Sequence, residues 1–126
     1  MEIKTATPEM VIVKLYEGAL RFLRQARTCQ GEGNVSGRAT AIAKALAIVG
    51  ELQQSLNLEE GGEIARNLDA LYFYVTDRLL EANVSGTVQP LDEASGVLST
   101  LNEAWIEISK RPAAGAAASD RAEAAV

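Results

Sequence analysis

Residues 91–108 read LDEASGVLSTLNEAWIEI, and their apolar members Leu91, Ala94, Leu98, Leu101, Trp105 and Ile108 are spaced by three, four, three, four and three residues. At 100° per residue this alternation holds all six on one stripe, the pattern of an amphipathic helix and not of a strand. Moving towards the N-terminus, Ile64, Leu68, Leu71, Val75, Leu79 and Ala82 also advance in steps of three and four. One apolar stripe cannot bury itself, so each helix needs neighbours.

Two further helical segments precede these. The first opens at Thr7-Pro8-Glu9. Thr7 is placed to cap free backbone N–H groups, Pro8 sits where its missing donor costs nothing, and Glu9 faces the positive end of the helix dipole. It is expected to run to about Gln30, before Gly31-Glu32-Gly33-Asn34. The second runs from Val35 to about Leu56 and stops near Asn57. The third starts around Gly62-Glu63 and reaches Ala82, and the fourth runs from Pro90 to Lys110. Short connections force consecutive helices to lie antiparallel, so the expected fold is all-α, an up-down antiparallel four-helix bundle over residues 1–111. Residues 112–126, rich in alanine and without a large apolar residue before Val126, read as a tail that is disordered or transiently helical.

Composition agrees with helices. Ala, Leu, Glu, Lys and Arg make up close to half of the 126 residues, against three prolines. With 48% hydrophobic residues the chain can fill a core. The absence of histidine excludes imidazole catalysis and nearly all zinc or iron sites. The single cysteine, Cys29, excludes an internal disulfide. No cofactor or metal is therefore expected. A net charge of −5 has the wrong sign for a broad electrostatic nucleic-acid surface. No apolar run nears the roughly 20 residues of a membrane span. Met1-Glu2-Ile3-Lys4 lacks a signal-peptide pattern, so a soluble, cytoplasmic protein is expected.

The helices differ in the width of their apolar faces. The fourth has an arc of roughly 140°, enough for a bundle core. The first and second span about 200° each. In the third, Phe73 and Leu80 stand off the seam, seven residues apart and so on one stripe. Most such edge residues are half-covered by neighbouring helices. The rest can line grooves that take a partner's amphipathic helix. Phe73 and Leu80 lead the candidate partner-binding residues, followed by Leu20, Ile48 and Leu52.

Other motifs have plainer explanations. Gly31, Gly33 and Gly37 miss the dinucleotide-loop spacing, and no strand precedes them, so they read as an interhelical turn. Asn34-Val35-Ser36 and Asn83-Val84-Ser85 match a glycosylation acceptor but read as cap and turn residues. Glu59, Glu60 and Glu63 favour a helix N-terminus more than acid–base chemistry. Cys29 reads as a packing residue, and Tyr16, Tyr72 and Tyr74 as amphipathic boundary residues. Nothing resembles an active site, and no enzymatic activity is expected.

Two stretches carry a specific resemblance. The first is Thr5-Ala6-Thr7-Pro8-Glu9, continuing through Leu15-Tyr16-Glu17-Gly18-Ala19 and Arg21-Phe22-Leu23. The second is Gly61-Gly62-Glu63-Ile64-Ala65-Arg66-Asn67-Leu68, with Ala70-Leu71-Tyr72, Tyr74, Arg78-Leu79 and Glu81-Ala82-Asn83. Over roughly residues 5–110 the chain resembles the flagellar secretion chaperone FliS family. Only Met1 to Lys4 precede the first stretch, where family members usually carry a longer extension, and the Ala-rich tail lies outside the pattern.

The resemblance implies a cytosolic antiparallel bundle that binds the disordered C-terminal region of flagellin and prevents premature polymerisation. It also implies help in delivering flagellin to the flagellar type III export apparatus, whose gate has a cytosolic part that is a further expected partner. Such a client wraps the bundle and lays apolar segments, partly helical, into surface grooves. The rival reading is a homo-oligomeric structural bundle, in which a second copy covers the spare apolar edges as a homodimer.

Overall fold

The computed structural model describes residues 7–110 and 124–125. Four helices account for residues 8–110: α1 (Pro8–Gly31), α2 (Val35–Gln54), α3 (Leu58–Ser85) and α4 (Val88–Lys110). No strand occurs among the described residues. The helices pack in a ring, α1 on α2, α2 on α3, α3 on α4 and α4 on α1, which is the expected up-down bundle.

The connections, residues 32–34, 55–57 and 86–87, are shorter than the sequence suggests because the helix ends are closed locally. At the start of α1 the Thr7 hydroxyl accepts the Met10 N–H at 3.2 Å. Asn34 caps α2 by accepting the Gly37 N–H at 2.9 Å, and Asn57 caps α3 by accepting the Glu60 N–H at 3.0 Å. Gly86 ends α3 in the left-handed region, φ +67°, so the chain reverses within two residues.

The third helix therefore starts at Leu58, earlier than expected, and Glu59 and Glu60 fall in its first turn. Gly62 interrupts it with φ +53° and ψ −129°, a conformation that essentially requires glycine. Residues 58–61 thus form a turn set off from the main axis of α3.

The core follows the two seams. Leu68, Val75, Leu79, Ala82, Leu91, Ala94, Leu98 and Trp105 are buried, and Ile64, Leu101 and Ile108 pack half-buried against them. From α1 and α2 come Ile12, Ala19, Leu23, Ile42, Val49 and Leu52. Tyr16 and Tyr72 depart from expectation. Both are fully buried in mid-core, and their hydroxyls meet at 2.6 Å across the diagonal between α1 and α3. Each phenol supplies the other's partner, which is why two polar tips sit where boundary positions were expected.

The expected tail falls outside the described residues, except for Ala124 and Ala125. These two are helical, and Ala125 is buried.

Candidate functional site

The outer surface of α3 carries an unusual density of uncovered apolar side chains: Phe73 (63% exposed), Leu80 (52%), Tyr74 (41%) and Val84 (85%). Leu80 follows Phe73 by seven residues and Val84 follows Leu80 by four, so these three share one outward stripe within roughly 40°. Tyr74 lies about 100° round the helix, towards α4.

Between α3 and α4 runs an open apolar trough of about 550 Å³. Leu71 and Tyr74 form its α3 wall, and Gly96, Val97, Thr100 and Leu101 its α4 wall. Gly96 contributes no side chain to that wall. A methyl group added there would touch nothing within 4 Å, so no neighbour demands the missing side chain. A mid-helix glycine costs about 0.5–1 kcal/mol relative to alanine, and here that cost leaves a gap in the α4 surface.

The rim is charged and anchored. Asp92 accepts a charged hydrogen bond from Arg27 of α1, and Glu93 lies 3.6 Å from Arg78 of α3. Arg78 also donates from Nε and Nη2 to Asp77, at 3.1 and 2.7 Å. The hydrogen bonds to Asp77 hold its guanidinium pKa above the ordinary value. A trough with an apolar floor and a polar rim suits the ridge of an amphipathic helix, apolar face down. A smaller apolar depression of about 280 Å³ lies between α1 and α4, where Met10 and Val13 face Ile106.

The five candidate residues do not form one surface. Phe73 and Leu80 are exposed on α3 outside the trough lining, about 100° or more round the helix from its α3 wall and on the flank where Asp69 bonds Gln53 of α2. Leu20 and Ile48 are half-buried against the core, and Ile48 Cδ1 would lie 3.3 Å from a Cβ on Gly18 of α1. Ile48 is thus an edge residue covered by α1, and Leu20 is half-buried at the core's margin. Leu52 is only 1% exposed and belongs to the core, because the wide face of α2 is shared between two neighbours. Tyr74, Val97 and Gly96 line the trough but were not among the candidate partner-binding residues. The signal available for them was a glycine in the middle of a seam helix with no turn to explain it.

The remaining motifs lie outside the trough. Glu59, Glu60 and Glu63 are exposed at the head of α3, and no group of three metal-ligating side chains is assembled among the described residues. A Cβ on Gly37 would lie 2.8 Å from Cys29 Sγ, so Cys29 is packed against the start of α2. Arg38 ties three helix ends together, donating to Gln30 Oε1 at 2.7 Å and to the Asn83 carbonyl at 3.0 Å. No described helix is long and apolar enough to cross a membrane.

Comparison with known proteins places this bundle. The family described as "Flagellar protein FliS" matches residues 1–112. The flagellar secretion chaperone FliS of Salmonella typhimurium is 39% identical over 110 residues, 86% of this chain and 82% of that protein. The flagellar secretion chaperone FliSB of Pseudomonas aeruginosa is 39% identical over 108 residues, 86% of each chain. FliS of Vibrio cholerae is 31% identical over 107 residues, 85% of this chain and 79% of the relative. A four-helix bundle with uncovered apolar surface along α3, matched over nearly its whole length by these proteins, belongs to the FliS family of flagellar secretion chaperones.

Proposed function

We propose that this chain is a cytoplasmic export chaperone for flagellin, binding its disordered C-terminal region and assisting its delivery to the flagellar type III export apparatus. The observation that carries this reading is the apolar surface of α3, where Phe73 and Leu80 stand exposed on the outer face and the α3–α4 trough lies on the flank towards α4. The terminal segments of a filament subunit are amphipathic, and their apolar faces pair when the filament forms. A chaperone that covers those faces removes the species able to polymerise. Ordering a disordered client costs about 2–5 kcal/mol or more, so tight binding requires a long wrapped contact and not one pocket. The trough, the α3 stripe and the α1–α4 depression together offer such a path. Release calls for no nucleotide, consistent with the absence of a phosphate-binding motif from the sequence.

Titration calorimetry with a flagellin C-terminal peptide tests the reading. Phe73→Asp and Leu80→Asp are at surface positions, so both variants should fold and bind the peptide at least tenfold more weakly. Unchanged affinity in both folded variants rules out this face. A pull-down of full-length against C-terminally truncated flagellin separates the segment from the rest of the client.

A further inference from the structure

We propose that Ala124–Ala125 forms an intramolecular latch, seated through Ala125 in a notch at the α2–α3 corner that has no room for a side chain at position 61. Ala125 is fully buried, although 13 residues (111–123) separate Ala124 from Lys110 at the end of α4. Its carbonyl accepts the Asn57 backbone N–H at 2.9 Å. Gly61 faces it closely enough that a Cβ there would lie 2.6 Å from Ala125 Cα and 2.9 Å from Ala125 Cβ. The notch therefore has no space for a side chain at position 61. The kink at Gly62 shapes it, by setting residues 58–61 off the axis of α3. One glycine bends the corner and its neighbour makes the room.

The hydrogen bonding makes the latch reversible. Asn57 is the cap of α3: its side chain accepts from Glu60 N–H, and its carbonyl accepts from Gly61 N–H at 2.8 Å. Its own backbone N–H is the donor that reaches the Ala125 carbonyl. In a capping box that donor is satisfied by a Glu or Gln side chain three residues on, and the residue there is Glu60. The Ala125 carbonyl holds the acceptor position that Glu60 would otherwise fill. Undocking thus exchanges one acceptor for another and leaves no orphaned donor. Alanine at both 124 and 125 suits such a notch. The latch stands independently of which client the α3–α4 trough takes.

Nuclear magnetic resonance on the full chain tests this. A nuclear Overhauser contact between the Ala125 methyl and the Gly61 α protons is expected. Ala125→Asp should abolish it and move the Asn57, Gly61 and Gly62 amide signals, leaving the Leu98 methyls and Trp105 indole unmoved. With Glu60→Ala removing the substitute cap, Ala125→Asp should speed Asn57 amide exchange at least tenfold. Gly61→Ala should release the tail from the other side. If that variant misfolds, the Ala125→Asp comparison decides alone. Absence of the Overhauser contact in the parent chain, or unmoved Asn57 and Gly61 signals in Ala125→Asp, overturns the latch.

Discussion

Tyr16 and Tyr72 join the two helices that the ring of contacts keeps diagonal, with ring centroids 6.4 Å apart and a 2.6 Å hydroxyl contact. Truncating one phenol leaves the other hydroxyl buried without that partner, which costs about 1–3 kcal/mol. Tyr16→Phe and Tyr72→Phe should each lose stability in that range by urea denaturation. The double variant should lose less than the sum, because it removes both polar tips together. The pair also sets an alkaline limit. Burial first, then the nearby Tyr72, raises the Tyr16 pKa far above its ordinary value, and burial raises that of Tyr72. In the unfolded chain both phenols lose their protons near pH 10, whereas in the fold they keep them. Above pH 10 the unfolded state therefore binds fewer protons, so stability falls as pH rises, by up to about 1.4 kcal/mol per pH unit for each tyrosine. The contribution is intact below the unfolded pKa. Denaturation midpoints measured from pH 9 to 11 should drop, and Tyr16→Phe should flatten the slope.

At the scale of the element, α4 shows why a clean seam can still flank an open trough. Its core stripe was readable directly, and Leu91, Ala94, Leu98 and Trp105 are all buried. The trough lies on the flank of that stripe, where Gly96 leaves space beside Val97. Gly96→Ala should raise stability by about 0.5–1 kcal/mol, since the added methyl meets no neighbour and alanine is the better helix former. If the trough takes a client ridge, the same variant should bind the flagellin peptide more weakly while melting at a higher temperature. Calorimetric melting and titration on one preparation measure both. In α3 the offset first turn was not legible from periodicity. Residues 58–61 are helical by virtue of the Asn57 cap, and the interruption at Gly62 is a single backbone conformation.

For the whole molecule, the spare apolar width of α1 and α2 is largely consumed within the bundle, as Leu20, Ile48 and Leu52 show, while that of α3 remains outside. Light scattering separates the two occupants that could cover it. The expected result is a purified chain whose mass rises by one flagellin C-terminal peptide when that peptide is added. A stable homodimer indifferent to the peptide would favour the self-association rival. The sequence by itself determined the helices, their seams, the caps at Thr7 and Asn34, and the up-down order, because hydrogen bonding along a helix and its 3.6-residue period are local properties. Only the tertiary structure decided which edge residues are uncovered, put Tyr16 against Tyr72, opened the trough at Gly96 and brought Ala125 to Gly61. The physical reason is that the exposure of an edge depends on how far each neighbouring helix is rotated about its own axis. That rotation is set by the packing of all four helices at once.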